Sequence, residues 1–125
     1  MRVLIVDNSE AIRERLLELV RASSGVEGVW QAASVVAALD LVRQQPVDLT
    51  VLDLSLGAHS GLDLIRLLRA EHAQMVIIVL TNSSTDAHRD ECLRRGAHFF
   101  FDKSLGFEQA MAVVAGVAVA PRAGV

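Results

Sequence analysis

Residues 2–7 read Arg-Val-Leu-Ile-Val-Asp, a short apolar run that ends in an acid, and residues 49–53 repeat this pattern as Leu-Thr-Val-Leu-Asp. Short continuous apolar runs rich in β-branched residues are typical of strands that are covered on both faces of a parallel sheet. Two further runs, Met75 to Leu80 and Ala97 to Phe101, have the same character. Val26 to Ala33 is weaker and more polar, so we expect it in an outer position of the sheet.

Segments with helical periodicity lie between these runs. The first begins after Asn8 or Ser9, either of which can cap a helix. Its apolar positions have helical spacing: Ile12, Leu16, Leu19 and Val20. Comparable segments follow the other four runs and begin near Ser34, Ser60, Thr85 and Gly106. Five strands that alternate with five helices predict an α/β fold with a parallel sheet and helices on both faces.

Length and composition narrow the class of protein. A chain of 125 residues fits one domain, and 52% hydrophobic residues exclude intrinsic disorder as the main state. A net charge of −3 provides no domain-wide basic field, so direct nucleic-acid binding is not expected. No signal peptide or membrane-spanning run is visible, which makes the cytoplasm the expected compartment. We expect one domain over residues 1–120, a short tail over residues 121–125 and no output domain.

Polar residues follow the expected strands at the edge where ligands bind in such sheets. Asp7 and Asn8 follow the first strand, Asp53 the third, Thr81 the fourth and Lys103 the fifth. Two carboxylates can bind Mg²⁺, and one of them can act as a nucleophile that forms an acyl phosphate. A nearby ammonium and hydroxyl can stabilise the charged oxygens of a transferring phosphoryl group. The set indicates metal-assisted phosphoryl transfer.

With these residues the sequence resembles the receiver domain of two-component response regulators, from Arg2 to about Val119. The resemblance rests on four short motifs: VLIVDN at 3–8, DLTVLDL at 48–54, LT at 80–81 and FDKS at 101–104. It implies a flavodoxin-like, doubly wound (βα)5 fold with five parallel strands in the order 2-1-3-4-5.

The resemblance also implies roles for the residues at the strand ends. Asp53 would accept a phosphoryl group from a histidine kinase or a phosphotransfer protein. Asp7 would belong to the Mg²⁺ pocket, with Asn8 beside it and the backbone carbonyl of Ser55 as a further ligand. In the family most members carry a second acid where this chain has Asn8, which removes one negative charge from the pocket.

Thr81 and Phe100 match the family's switch positions, and Lys103 matches its lysine. Thr81 would bond a phosphoryl oxygen in the active state, and Lys103 would pair with the phosphorylated aspartate. Phe100, three residues before the lysine, matches an aromatic position that turns inward on activation. Asn82 stands where most members have alanine or another small residue. Asn8 and Asn82 leave an alternative open, namely a degenerate receiver that binds a partner without phosphorylation.

Other phosphate-handling classes fit less well. A phosphatase of the haloacid dehalogenase type would carry a second Asp two positions after the first, but Ser9 follows Asp7 at that spacing. A glycine-rich dinucleotide fingerprint and a P-loop are both absent from the sequence.

The last helix is apolar nearly all round, because no charged residue follows Glu108 until Arg122. We expect its core face to consist of Phe107, Met111 and Val114. Its outer face, represented by Val113 or Val117, would form a homodimer or effector interface together with the fourth helix and the fifth strand. Phosphorylation would alter this interface.

Overall fold

The computed structural model describes residues 1–57 and 59–119, and there the five expected strands form one parallel sheet. Their bounds are Arg2–Val6 for β1, Gly28–Ala32 for β2, Leu49–Leu52 for β3, Val76–Thr81 for β4 and Phe99–Asp102 for β5. The order β2-β1-β3-β4-β5 confirms the doubly wound arrangement. The expected tail over residues 121–125, and residue 120 before it, lie outside the described residues.

Five helices connect the strands, as the periodicity predicts. Their bounds are Glu10–Arg21 for α1, Val35–Gln44 for α2, Gly61–Glu71 for α3, Asp86–Arg95 for α4 and Phe107–Val119 for α5. The first four begin at capping residues whose hydroxyls accept a backbone N–H of the first turn: Ser9, Ser34, Ser60 and Thr85. Gly96, with a φ of 118°, ends α4 in the left-handed conformation.

The sheet separates two apolar cores because successive strand side chains point to opposite faces. Leu4 and Val6 face α2, α3 and α4, whereas Val3 and Ile5 face α1 and α5. β2 is only partly buried, which agrees with its expected outer position. Across residues 1–57 and 59–119, none of the helices has the length and apolar character needed to cross a bilayer.

Two local features differ from the expectation. Ser55–Leu56 and His59–Ser60 form a small antiparallel hairpin directly after β3, where the sequence predicts only a loop. In α5, Ala110 and Val114 are fully buried, whereas Phe107 and Met111 are partly buried. Val113 and Val117, expected on the outer face, pack partly against the same core.

Candidate functional site

The site lies where β1 and β3 end side by side in the centre of the sheet. Asp7 and Asp53 follow these strands directly, and the Asp53 backbone N–H donates to the Val6 carbonyl at 3.0 Å. Both acids are almost fully buried, with 2% of Asp7 and 6% of Asp53 exposed. A buried carboxylate requires a partner, because burial of an unpaired charge is costly.

Lys103 is that partner. Its ammonium nitrogen lies 2.7 Å from Asp7 Oδ2 and 2.9 Å from Asp53 Oδ2, and only 12% of the lysine side chain is exposed. Burial alone would lower the pKa of Lys103, but the hydrogen bonds to both carboxylates outweigh it and raise the pKa above its ordinary value. The lysine therefore remains charged at neutral pH. Its ammonium contacts Asp7 and Asp53, which lie 96 and 50 positions earlier in the sequence.

Backbone groups orient the remaining carboxylate oxygens. Asp7 Oδ1 accepts the N–H of Ser9 at 2.8 Å, and Asp53 Oδ1 accepts the N–H of Ser55 at 3.4 Å. The Arg13 guanidinium donates to the Asp7 backbone carbonyl at 2.8 Å. Each acid thus presents one oxygen to the lysine and has the other turned toward its own loop.

The two predicted switch residues occupy different surroundings. Thr81 is fully buried at the end of β4, and its hydroxyl oxygen accepts the N–H of Ser83 at 3.2 Å. Phe100 lies on β5 and packs partly into the core that contains Cys92 of α4. Its neighbours Phe99 and Phe101 point to the opposite face and stack with ring centroids 6.2 Å apart.

The donor set of the site is suited to a hard divalent cation. Asp7 and Asp53 have carboxylate oxygens here, and the exposed Asn8 and Ser55, one and two residues after these acids, could add an amide and a carbonyl oxygen. In the part of the chain that the structure describes, no group of three or more His, Cys, Asp or Glu residues is arranged to bind a metal. Two acids with neutral oxygen donors fit Mg²⁺, which keeps several of its waters.

Sequence reasoning did not identify the residues around the lysine loop. The Asp102 carboxylate accepts the Ser84 hydroxyl and the N–H groups of Ser104 and Leu105, at 2.8 and 2.9 Å for the last two. A cavity of about 440 Å³ lies beside this loop, against α1. Its lining includes Ile12, Arg15, Lys103, Leu105 and Phe107. The only sequence signal was the position of Asp102 next to the lysine.

The comparisons with known proteins agree on one family. Residues 3–115 match the model of the response regulator receiver domain. The response regulator MprA of Mycobacterium avium is 33% identical over 90% of this chain and 48% of its own length. A protein-glutamate methylesterase/protein-glutamine glutaminase of Anaeromyxobacter dehalogenans is 32% identical over 75% of this chain and 25% of its own length. The chain thus spans between a quarter and about half of the length of these two relatives.

Solved structures show the same fold. A two-component response regulator from Clostridium difficile superposes with a TM-score of 0.85 at 20% identity, covering 95% of both chains. A response regulator from Burkholderia pseudomallei has a TM-score of 0.80 at 27% identity and covers 94% of this chain and 68% of its own. That structure contains a phosphorylated aspartic acid, a calcium ion and citrate.

Proposed function

The chain belongs to the family of response regulator receiver domains, and from that membership we propose that it accepts a phosphoryl group on Asp53. The donor would be the phosphohistidine of a histidine kinase or of a phosphotransfer protein in two-component signalling. The observation that carries the proposal is the contact of the Lys103 ammonium with the carboxylates of Asp7 and Asp53. An ammonium at this position can offset the charge that a phosphoryl group brings to Asp53.

The transfer uses groups that lie at the carboxyl ends of the strands. An oxygen of Asp53 attacks phosphorus, the phosphorus–nitrogen bond of the phosphohistidine breaks, and its electron pair stays on the imidazole, which takes up a proton. The product is an acyl phosphate on Asp53. Lys103 would pair with the phosphoryl oxygens, and the Thr81 hydroxyl would donate to one of them.

The proposed cofactor is Mg²⁺. Asp7 and Asp53 would bind it through carboxylate oxygens, Asn8 through its amide oxygen and Ser55 through its backbone carbonyl. When bound, Mg²⁺ supplies divalent positive charge next to the phosphoryl oxygens. Asn8 adds no charge to this set, so we expect weak binding of the metal.

We assign the signalling output to the surface formed by α4, β5 and α5. Thr81 and Phe100 lie on the adjacent strands β4 and β5, and in this proposal they would transmit phosphorylation of Asp53 to the surface. Cys92 is the one buried residue of α4 (Asp86–Arg95), so a shift of that helix would lose little apolar contact. The readout partner would be an effector protein or a second copy of this chain in the cytoplasm, with no contact to nucleic acid or membrane.

One observation supports a second candidate function. Asn8 replaces an acid at the metal pocket, and with two carboxylates the described site is one charge poorer than a three-acid set. A degenerate receiver with this pocket would bind its partner through the same surface without phosphorylation.

Phosphorylation with a small phosphodonor distinguishes the two functions. Incubation of the chain with acetyl phosphate and Mg²⁺, read by intact mass, should add one phosphoryl group to the wild type. Asp53→Asn preserves the shape of the side chain but lacks the nucleophile, so it should gain no mass. Equal labelling of both proteins would disprove the assignment of Asp53, and no labelling of either would favour the degenerate receiver.

A further inference from the structure

Asp102 connects two loops that start from neighbouring strands. One of its oxygens accepts the Ser84 hydroxyl from the loop between β4 and α4. The other accepts the backbone N–H groups of Ser104 and Leu105, in the loop between β5 and α5, at 2.8 and 2.9 Å. The same hydrogen bonds lower the pKa of Asp102, with the Ser84 bond as the largest cause. The carboxylate is therefore charged at neutral pH and bridges the two loops.

Each of these loops begins at or next to a residue of the proposed site. Lys103 follows Asp102 directly, and its backbone N–H donates to the Thr81 carbonyl at 2.8 Å. Strand pairing thus positions the lysine from one side, and the Asp102 hydrogen bonds to the next two N–H groups position it from the other. The backbone of Lys103 is thus held by strand pairing at its own N–H and by the Asp102 carboxylate at the two residues that follow it.

The second loop begins at Thr81. The Thr81 hydroxyl oxygen accepts the N–H of Ser83, and the adjacent Ser84 donates to Asp102. A turn of the Thr81 hydroxyl toward Asp53 would break its hydrogen bond with Ser83 and so favour a shift of this short segment. The Ser84–Asp102 hydrogen bond opposes such a shift because it ties the segment to the end of β5.

We infer that Asp102 is a positioning residue that couples the Thr81 loop to the Lys103 loop, with its hydrogen bond to Ser84 as the restraint. The coupling between the loops stands on its own, and its consequence for phosphoryl binding rests on the function proposed above. Release of the restraint should make the phosphoryl-binding arrangement easier to reach. Loss of the whole carboxylate should disorder the lysine loop and weaken that arrangement.

The experiment compares Ser84→Ala, which removes the restraint, with Ser84→Thr, which retains a hydroxyl. Ser23→Ala serves as the matched control, since it deletes an exposed serine hydroxyl that bonds the Leu19 carbonyl in α1, remote from the site. Beryllofluoride with Mg²⁺ replaces the phosphoryl group as the probe. We expect Ser84→Ala to bind it about three- to tenfold more tightly, which is the range of the net contribution of one typical hydrogen bond. Ser84→Thr and Ser23→Ala should match the wild type.

Amide hydrogen exchange without any phosphoryl analogue measures the coupling directly. Removal of the Ser84 hydroxyl should speed exchange at Ser104 and Leu105, whose N–H groups bond the far oxygen of Asp102. Unchanged exchange at these amides would overturn the inference, whatever happens to stability. If the wild type fails to bind beryllofluoride, the proposed function fails, while the exchange result still decides whether Asp102 couples the loops. Unchanged beryllofluoride affinity together with faster exchange would refute the consequence for phosphoryl binding.

Discussion

The ammonium nitrogen of Lys103 lies 2.7 Å from Asp7 Oδ2, although the two residues are 96 positions apart in the chain. The same nitrogen also bonds Asp53, so one cation balances two almost fully buried acids. If the cation is removed, two unpaired carboxylates remain side by side, which is the costly way to break a buried ion pair.

Lys103→Met should therefore lower the free energy of unfolding by about 3 kcal/mol. Added Mg²⁺ should restore more stability to this variant than to the wild type, because it offers positive charge to the same oxygens. Urea denaturation with and without Mg²⁺ measures both effects. Arg43→Met is the matched control, since it breaks the exposed pair with Glu71 and should change stability by less than about 1 kcal/mol. A loss no larger than that of the control would contradict the role given to Lys103.

The metal pocket gives a second prediction. Asn8→Asp adds the negative charge that this pocket lacks and should tighten Mg²⁺ binding by on the order of tenfold. Asn8→Ala, which removes the amide oxygen without adding charge, should not tighten it. Isothermal titration with Mg²⁺ compares the three proteins. Equal or weaker binding by Asn8→Asp would show that this position does not face the metal.

Gly61 supplies a third prediction, because α3 begins against the backbone of the acceptor. A Cβ at Gly61 would lie 2.4 Å from the Asp53 carbonyl oxygen and 2.7 Å from Leu54 Cα, closer than any real contact. Gly61→Ala should cost about 1–3 kcal/mol of stability and slow phosphorylation, because the backbone of Asp53 must move. Thermal or urea denaturation, followed by the labelling assay, measures the two effects.

A second glycine is the control for this change. Gly116 lies within α5, and a Cβ there would meet no heavy atom within 4 Å. Gly116→Ala should raise stability by about 0.5–1 kcal/mol, since alanine restricts the unfolded chain more than glycine does. If Gly61→Ala and Gly116→Ala both raised or both lowered the free energy of unfolding, the close approach of α3 to the acceptor would not be the cause of the effect at Gly61.

Much of this architecture could be predicted from sequence because short-range signals specify it. The runs that end at Asp7 and Asp53 are apolar without interruption, so they predict central strands, and a parallel sheet brings their carboxyl ends to one edge. The same reasoning located Thr81 and Lys103. The strand order, which only the resemblance implied, brings these residues to one edge, and the structure shows that Lys103 contacts both acids there.

Other features depend on information that no local pattern contains. The Ser84–Asp102 bond joins two loops, and loop conformation determines whether their side chains meet. In α5 the apolar residues leave no periodic signal, so the sequence could not decide that Val113 and Val117 would pack partly inward. Only the docking of the helix on the sheet resolves which side is covered.

A fourth prediction concerns acid stability through His98. Its Nδ1 accepts the N–H of Ile77 at 3.2 Å and lies 3.3 Å from an Arg69 nitrogen. Desolvation, with the Arg69 charge as the second cause, lowers the pKa of His98 below its ordinary 6.5. The unfolded chain therefore takes up the proton first, so this contribution to stability is complete above about pH 6.5 and declines as the pH falls through the lowered folded pKa.

His98→Asn tests this account, because the amide oxygen can still accept from Ile77 but does not titrate. Unfolding free energies measured between about pH 5 and 7.5 should fall more steeply for the wild type than for this variant. Parallel curves for the wild type and His98→Asn would remove His98 as the source of the acid sensitivity.

The last prediction concerns the surface of α4, β5 and α5. Because Val113 and Val117 are partly inside the core, a charge at either would destabilise the fold. A change in self-association would then not be distinguishable from partial unfolding. Ala112 is the better probe, since it is exposed on the same helix. If a second copy binds there, Ala112→Glu should weaken self-association by at least about tenfold, because the glutamate would be buried without a partner.

Sedimentation at high concentration, with beryllofluoride and Mg²⁺ present, measures this effect. Val36→Glu is the matched control, because Val36 is exposed on α2, a helix that lies outside this surface. The control should associate like the wild type if the apolar face of α5 is the interface. A wild type that remains monomeric with and without beryllofluoride would exclude the second copy and leave an effector protein as the partner of that surface. Equal weakening by both substitutions would instead indicate a general response to added negative charge, because α2 and α5 lie on opposite faces of the sheet.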